Sequence, residues 1–340
     1  MSAKQRVFVA FLLCAVMSDT YAQLQSLPEE SGVSGFVNLG AGVIRAKSNL
    51  IAGTSVGDIG HETIPSINAQ PDARTSGVPI INFEVAYTWG PKRTQVFFGN
   101  LLEDFLRFDF ATQLGVRHQF RNKTILAAAF LFSSVPTEVW DDPYVANTPR
   151  RETDRTSNGG RLTLSRIGGS GFQLQYSQRE DKLDLELSGR TQLGLSPPQA
   201  ALLDRNGDQR RLEASYFFPI GERNRLVPAL WFTDFDLDGK AMANDLVEFQ
   251  ISHLYIGERF NFVTNFSVGT ADFDAVNPIY GIKRDDDRVG LSFAVFDKKL
   301  FGANAKWFGV LTIAGFKDDS NIDFYDTEIA LLSLSTFRRF

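Results

Sequence analysis

The stretch that decides the fold is LRFDFATQLGVRHQF, which covers residues 106–120. Its even-numbered positions carry mostly apolar side chains, and its odd-numbered positions carry mostly polar or charged ones. Because successive side chains of an extended strand point to opposite faces, each set occupies one face. Leu106 and Phe108 belong to the apolar face, whereas Arg107 and Asp109 belong to the other. The stretch therefore predicts a strand with one apolar and one hydrophilic face.

The same alternation returns in the segments 211–218, 247–255 and 260–268. No run of 18 apolar residues follows residue 22, so the sequence predicts no membrane-spanning helix. A soluble β-sandwich also has strands with one buried and one wet face, and it is the alternative to a membrane barrel at this point. The connections between the strands separate the two cases.

The predicted connections alternate between tight turns and longer segments. The turns cover 90–93, 121–123, 168–171, 221–224, 257–259 and 297–304, and the longer segments cover 48–77, 99–105, 135–158, 190–208, 238–244, 273–287 and 317–321. These connections join 14 strands. An even strand number, with short turns on one side and long loops on the other, is typical of outer-membrane barrels. We predict an all-β fold, a transmembrane antiparallel up-and-down β-barrel of about 14 strands, with 12 to 16 as the range.

The composition fits a barrel wall that meets lipid on its outer face and water on its inner face. The 340 residues include 30 Phe, yet the mean hydropathy is -0.13. Outward apolar side chains and inward polar ones average to such a value in every strand. The formal net charge is -5, which argues against nucleic acid as a partner because no basic stripe can replace its counterions.

Residues 1–22 carry the pattern of an export signal. Positive charges at Lys4 and Arg6 precede an apolar run, and small residues precede a cut after Ala22. The apolar run is too short to cross hydrocarbon, which takes about 20 residues. We predict that the signal is removed and that residues 23–340 form one barrel domain in the outer membrane.

The start of the predicted mature chain resembles a known family. It reads LPEESG at 27–32, SGFVNLGAG at 34–42 and KSN at 47–49, and these segments resemble the bacterial domain of unknown function 2860. The resemblance implies an outer-membrane-type barrel and no particular activity. The last strand, which ends at Phe340, resembles the recognition strand that the barrel-assembly machinery reads, although Arg338 stands where an apolar residue is usual. The expected partners are that machinery, outer-membrane lipids, lipopolysaccharide and a small solute.

The functional prediction rests on charged residues at the strand positions that are expected to face the barrel interior. The predicted pore-lining residues are Glu84, Arg107, Asp109, Arg117, Arg211, Glu213 and Glu248. They favour a porin-like channel for the passive passage of small hydrophilic solutes, constricted by the loop 135–157 or covered by the loop 48–77. The alternative is a structural or adhesive surface barrel whose lumen is closed.

An acidic loop offers a candidate cation site. Its carboxylates are Asp234, Asp236, Asp238 and Asp245. With Gly239 they resemble the spacing of an EF-hand calcium loop, although the last position lacks the usual Glu and no helices flank the loop. The other interpretation places the aspartates along the lumen near the mouth, with Trp231, Phe235 and Leu237 facing lipid. No cofactor is predicted beyond calcium at this extracellular loop.

A lipid hydrolase is the third functional hypothesis. Ser157, in Ser-Asn-Gly, looks like part of the serine motif of outer-membrane phospholipases, whose nucleophile faces lipid. That family has a His two residues before the Ser, and Arg155 occupies this position here. A hydroxyl without a positioned base is a weak nucleophile. The sequence therefore predicts a protein that is not an enzyme.

Overall fold

The computed structural model describes residues 26–54, 57–104, 108–300, 302 and 306–340. The predicted signal peptide and Arg107 lie outside these residues. The described residues form the strands β1 (Gly32–Lys47), β2 (Ile51–Thr54), β3 (Gly57–Asp58), β4 (Ala73–Trp89), β5 (Thr94–Asp104), β6 (Asp109–Gln119), β7 (Ile125–Ser133), β8 (Thr137–Trp140), β9 (Glu152–Ser165), β10 (Phe172–Leu183), β11 (Gly207–Tyr216), β12 (Phe218–Ile220), β13 (Asn224–Leu237), β14 (Asn244–Ile256), β15 (Phe260–Val276), β16 (Lys283–Asp297), β17 (Trp307–Ser320) and β18 (Thr327–Arg339). The helices are α1 (Pro197–Ala201) and the 3₁₀ turns Gly90–Lys92, Ile167–Gly169 and Asp323–Tyr325.

Fourteen of these strands form the closed wall of a barrel. Short β12 continues β11 along β13, while β2, β3 and β8 belong to the loops. Every neighbouring pair in the wall is antiparallel. The last strand, β18, pairs with β1 from Phe36 opposite Arg339 to Lys47 opposite Glu328, which closes the sheet and removes its edges. The predicted all-β barrel of 14 strands is therefore confirmed.

The two faces of the wall differ in the way that alternation predicts. On β18, Leu332 and Leu334 expose 51% and 66% of their surface outward, while Ser333 between them exposes 4%. On β10, Gln175 and Arg179 are buried inside the barrel. No helix in the described part of the chain is both long and apolar enough to span a bilayer.

The outer surface changes character from one end of the barrel to the other. Short turns join the wall strands at one end, called the turn end, and longer loops join them at the loop end. Exposed aromatic side chains near the turn end are Trp89, Phe120, Phe172, Phe218, Phe260 and Phe340. At the loop end, outward ion pairs join Lys47 to Glu328 at 2.6 Å and Lys283 to Asp272 at 2.7 Å. An apolar belt bounded by aromatic and charged rings is the surface of a barrel that sits in a bilayer.

Phe108 does not face outward as the alternation predicted. It lies just before β6 with a φ of 53°, in the left-handed region. Its ring is buried beside Ile44, Ile51 and Ile59 within the loop end of the barrel. The chain turns at this residue, so the period of two that holds along β6 does not extend to it.

The predicted orientation of the loop end of β13 is also wrong. Phe235 and Leu237 are buried inside the barrel, while Asp234 and Asp236 lie on the outside. Trp231 shares the inward parity of Phe235, and its indole nitrogen is buried. The reversal follows from the surroundings, because the outer face at the loop end meets water, whereas the inner face meets apolar loop residues.

Candidate functional site

The barrel interior contains the predicted pore-lining residues that the structure describes. Glu84, Asp109, Arg117, Arg211, Glu213 and Glu248 all point inward. These six side chains come from four wall strands, β4, β6, β11 and β14, and they lie at the inward-facing polar positions of each strand. The structure thus brings them into one interior, and their role in transport stays a prediction.

Ion pairs neutralise the charges inside the barrel. Arg117 on β6 lies 2.7 Å from the Glu84 carboxylate on β4, and its guanidinium stacks 4.0 Å from the centre of the Phe97 ring. Arg179 on β10 binds the Asp109 carboxylate on β6. Buried charges need such partners because the loss of hydration costs several kcal/mol per ion. The interior carries both signs of charge, with each of these arginines paired.

A second charged row crosses the opposite wall. Glu248, Gly269, Arg288 and Asp318 lie on four consecutive strands from β14 to β17, opposite one another in register. Arg288 reaches Asp318 at 2.9 Å and Glu248 at 3.6 Å. A Cβ on Gly269 would lie 2.5 Å from the Cγ of Glu248. Gly269 therefore leaves the space through which two strands that are not neighbours share an ion pair.

The interior is filled with side chains in this structure. Arg179 and Gln113 each expose 2% of their surface, and Arg117 and Arg161 expose 4%. Long polar side chains that line a wide aqueous pore would be considerably more accessible. The described conformation is therefore closed.

The loop end is closed by a cluster of buried residues that we call the loop plug. It consists of Ile64, Tyr144, Ala146, Leu203, Ala241, Met242, Ala243, Ile322, Phe324 and Tyr325, with Tyr280 packed against it. These residues come from six different loops, and the apolar ends of β13, β14 and β15 pack below them. The plug is thus a small apolar core that lies across the mouth of a hydrophilic barrel.

Three tyrosines connect loops that are far apart in sequence. The hydroxyls of Tyr144 and Tyr325 lie 2.7 Å apart, and Asn277 donates to the Tyr325 hydroxyl at 2.7 Å. The Tyr280 hydroxyl donates to the carbonyl of Ile67 at 2.6 Å. Burial raises the pKa of all three phenols above the ordinary value, so they stay protonated at neutral pH.

Asp142 ties the third long loop to the fourth. Its carboxylate accepts hydrogen bonds from the backbone N–H groups of Tyr144, Gly189 and Thr191 at 3.0 to 3.1 Å. The hydroxyl of Thr191 donates to the same carboxylate at 2.5 Å. Asp142 is itself buried, so these donors replace its lost hydration.

Arg150 ties the third long loop to the first. It donates to the backbone carbonyls of Asn49 at 2.8 Å, Pro143 at 3.1 Å and His61. Its guanidinium also lies 4.3 Å from the centre of the Trp140 ring. Both loops that the sequence offered as pore covers, 48–77 and 135–157, therefore contribute to one plug, although residues 152–157 already belong to the wall strand β9.

A cavity of about 120 Å³ lies directly below the plug, and we call it the subplug cavity. Apolar residues line one part of it and charged residues line another. The lining is Ser48, Leu50, Ile51, Val139, Arg155, Leu183, Arg205, Phe235, Leu237, Met242, Asn244, Ala271, Phe273, Arg284, Asp286, Arg288, Asp318 and Thr327. Sequence reasoning missed this site, because its members come from ten strands and three loops. The sequence signal for this site was a set of apolar residues at inward-facing positions near the loop ends of β13 and β15.

The acidic candidate for calcium lies outside the barrel and already has protein cations beside it. Arg210 lies 3.1 Å from Asp234 and 3.5 Å from Asp236, and Lys240 lies 2.7 Å from Asp236. Asp238 and Asp245 are exposed. Within the described ranges, no group of three or more His, Cys, Asp or Glu side chains is placed to hold a metal ion.

Ser157 does not have the position of a lipid-facing nucleophile. Its side chain is buried inside the barrel, on the inward parity of β9. His118 and His253 lie on the outer parity and contact Thr94 and Asn224, each at 2.9 Å. The structure therefore does not place this serine on the outer surface, where the hydrolase hypothesis required it.

Comparison with protein families gives a clear result. A family described as "Protein of unknown function (DUF2860)" matches residues 32–336. The chain belongs to this DUF2860 family. The match runs from the first residue of β1 to Thr336 in β18, so it spans the barrel wall except for the last residues of β18. No curated protein sequence matches the chain.

The DUF2860 barrel is also similar to solved outer-membrane proteins. The outer-membrane channel DcaP of Acinetobacter baumannii is 10% identical, with a TM-score of 0.46, over 92% of this chain and 97% of that one. The toluene transporter TodX of P. putida is 11% identical, with a TM-score of 0.46, over 94% of each chain. The anion-selective porin of Comamonas acidovorans is 9% identical, with a TM-score of 0.40, over 92% of this chain and all of that one.

Proposed function

We propose that this DUF2860 protein is a gated outer-membrane channel for small hydrophilic solutes. The observation that carries the proposal is the contrast between a hydrophilic interior and a separate apolar plug at its mouth. Side chains alone fill a barrel of about eight strands, so a wall of fourteen strands is wide enough to pass a small solute once its inward side chains and the plug rearrange. The interior charges of both signs are the groups that would line the path of a solute.

The plug supplies the gate in this proposal. Its residues belong to loops, so they can move without breaking a hydrogen bond between wall strands. Displacement of Tyr144 and Tyr325 would separate the third loop from the seventh and expose the subplug cavity. Loops that carry out such opening are normally among the less stable parts of a protein. The closed conformation would then be the resting state.

A structural or adhesive barrel with a permanently closed lumen is the second candidate. The low exposure of interior side chains such as Arg179 favours it. The two candidates differ in what happens when the plug is weakened. A gated channel conducts once the plug is loosened, whereas a permanently filled barrel stays silent because the wall side chains still block it.

Single-channel recording in planar bilayers tests the proposal. The natural protein is compared with the double variant Tyr144→Ala and Tyr325→Ala, and with Leu332→Ala on the lipid-facing surface as a control. We expect brief, rare openings for the natural protein and the control, and long openings for the double variant, with liposome swelling in small sugars. Silence of both the natural protein and the folded double variant at every voltage would instead support the closed barrel.

A further inference from the structure

We infer that the subplug cavity is a binding site for a small uncharged molecule that has one ring and a hydroxyl group. The claim that the cavity binds such a molecule rests on the cavity alone. The further claim that this molecule is a solute that the channel carries rests on the proposed function. Binding and conductance are therefore measured separately.

The size and the apolar side of the cavity define the body of the ligand. Phe235, Leu237, Met242 and Phe273 line the cavity and are buried. A cavity of roughly 150 Å³ with similar apolar walls holds a benzene molecule. The subplug cavity, at about 120 Å³, therefore has space for one ring and little more.

The polar side of the cavity defines the functional group. Asp318 lines the cavity and exposes 8% of its surface. Its Oδ2 accepts a hydrogen bond from Arg288 at 2.9 Å, while its Oδ1 is buried with no hydrogen-bond partner among the described residues. A buried carboxylate oxygen without a donor is costly, so this atom calls for a donor in the cavity. A hydroxyl on the ligand would supply it.

The charge balance of the cavity favours an uncharged ligand. The arginines in the lining are Arg155, Arg205, Arg284 and Arg288, and the carboxylates in the lining or paired with it are Asp286, Asp318, Glu186 and Glu248. Arg205, Arg284 and Arg288 are each already paired with a carboxylate of the protein. A net cation or anion would pay for its own dehydration without gaining a net opposite charge. A neutral donor avoids this cost.

Isothermal titration calorimetry on the purified full-length protein in detergent tests the site. The probes are phenol, toluene, benzoate and benzylammonium at neutral pH. Phenol and toluene have nearly the same shape, but only phenol donates a hydrogen bond. We expect saturable binding of phenol, about tenfold tighter than that of toluene, because a hydrogen bond to a charged acceptor is worth at least this factor. Both charged probes are expected to bind more weakly than phenol.

Substitutions in the cavity show whether binding occurs there. Ala271→Leu fills the space beside Phe273, and it should abolish phenol binding. Ala129→Leu makes the same change on the inward face of β7, away from the cavity, and should leave phenol binding unchanged. Asp318→Asn keeps the shape of the side chain but removes the charge of the acceptor. It should therefore reduce the difference in affinity between phenol and toluene. It also provides a second test if Ala271→Leu fails to fold.

Each outcome supports or overturns the inference. Equal binding of phenol and toluene, tighter binding of either charged probe, or phenol binding that Ala271→Leu leaves unchanged would overturn it, as would the absence of binding by all four probes. Phenol binding by a protein that never conducts would support the binding site and contradict the proposed channel function. Conductance without phenol binding would support the channel function and contradict the binding site.

Discussion

The two ends of the barrel are closed by different parts of the chain. At the loop end, the buried core comes from six loops that meet around Tyr144 and Tyr325. At the turn end, the buried cluster comes from the wall strands themselves, with Val227, Phe296 and Phe337 among its members. Residues on wall strands cannot leave the lumen without breaking the sheet, whereas loop residues can. The comparison indicates that a gate, if the barrel opens, lies at the loop end.

The start of the described chain also packs at the turn end. The backbone N–H of Leu27 donates to the inward side chain of Gln119 at 2.7 Å, and Glu29 lies 3.5 Å from Arg93. Leu27 is buried there. This segment adds to a turn end that is already occupied by wall residues, so its displacement alone would leave that end closed.

The largest expected effect concerns the stability of the turn end. Phe296→Ala removes a fully buried ring from the wall cluster, and it should lower the free energy of unfolding by about 3–5 kcal/mol. Urea unfolding in lipid vesicles measures this change. Phe293→Ala, on the outer face of the same strand, is the control, since lipid chains fill the space that it leaves. The comparison between the ends fails if Phe296→Ala gives long channel openings and the double tyrosine variant does not.

The next effect concerns a buried ion pair within the lumen. Glu84→Gln leaves Arg117 without its carboxylate partner, and loss of one member of a buried pair costs about 3–5 kcal/mol. In the background of the double tyrosine variant, it should also shift the ion preference of the open channel toward anions. Reversal potentials in a salt gradient report this shift. An unchanged reversal potential would show that the pair does not line the conducting path.

A smaller effect is expected from pH, through the tyrosines of the plug. Their pKa values are raised in the closed state, so both phenols stay protonated at a pH just above 10 as long as the plug is closed. An exposed phenol loses its proton at that pH. Stability of the closed plug is therefore complete below about pH 10 and falls as the pH rises further. Channel opening should therefore stay constant from pH 8 to about pH 10 and increase as the pH rises further. The variant Tyr144→Phe with Tyr325→Phe should show a smaller increase, and an equal increase would assign the effect to other groups.

The smallest effect is expected at the outer acidic cluster. Asp234→Asn and Asp236→Asn should leave conductance and stability nearly unchanged, because exposed ion pairs contribute little. Calcium at millimolar concentration should have the same effect on both variants as on the natural protein. Calorimetric calcium binding that disappears in these variants would restore the calcium interpretation.

The sequence predicted the wall well and the plug poorly, for a physical reason. Lipid outside and polar groups inside impose an alternation of apolar and polar residues on every strand within the membrane. A segment as short as residues 109–119 already shows this pattern. The plug depends on contacts such as that between Tyr144 and Tyr325, which are 181 residues apart. No local pattern records such a contact.

The reversal at β13 shows where alternation stops being informative. Along most of a strand, the apolar face is the outer one because the solvent outside is lipid. At the loop end, the outer face meets water and carries Asp234 and Asp236, while the inner face meets the plug and carries Phe235 and Leu237. The same alternating pattern therefore has the opposite meaning beyond the membrane, and the orientation there requires knowledge of what fills the barrel.

Amide hydrogen exchange tests most directly whether the plug is a unit separate from the wall. The N–H groups of Asn147, Arg150 and Ala241 make backbone hydrogen bonds between loops of the plug, at 2.7 to 2.9 Å. We expect them to exchange together and much faster than the buried amides of β14 and β15, because the plug opens while the wall stays paired. Exchange of plug and wall amides at one common rate would contradict the account, since it would show that the mouth opens only when the whole barrel unfolds.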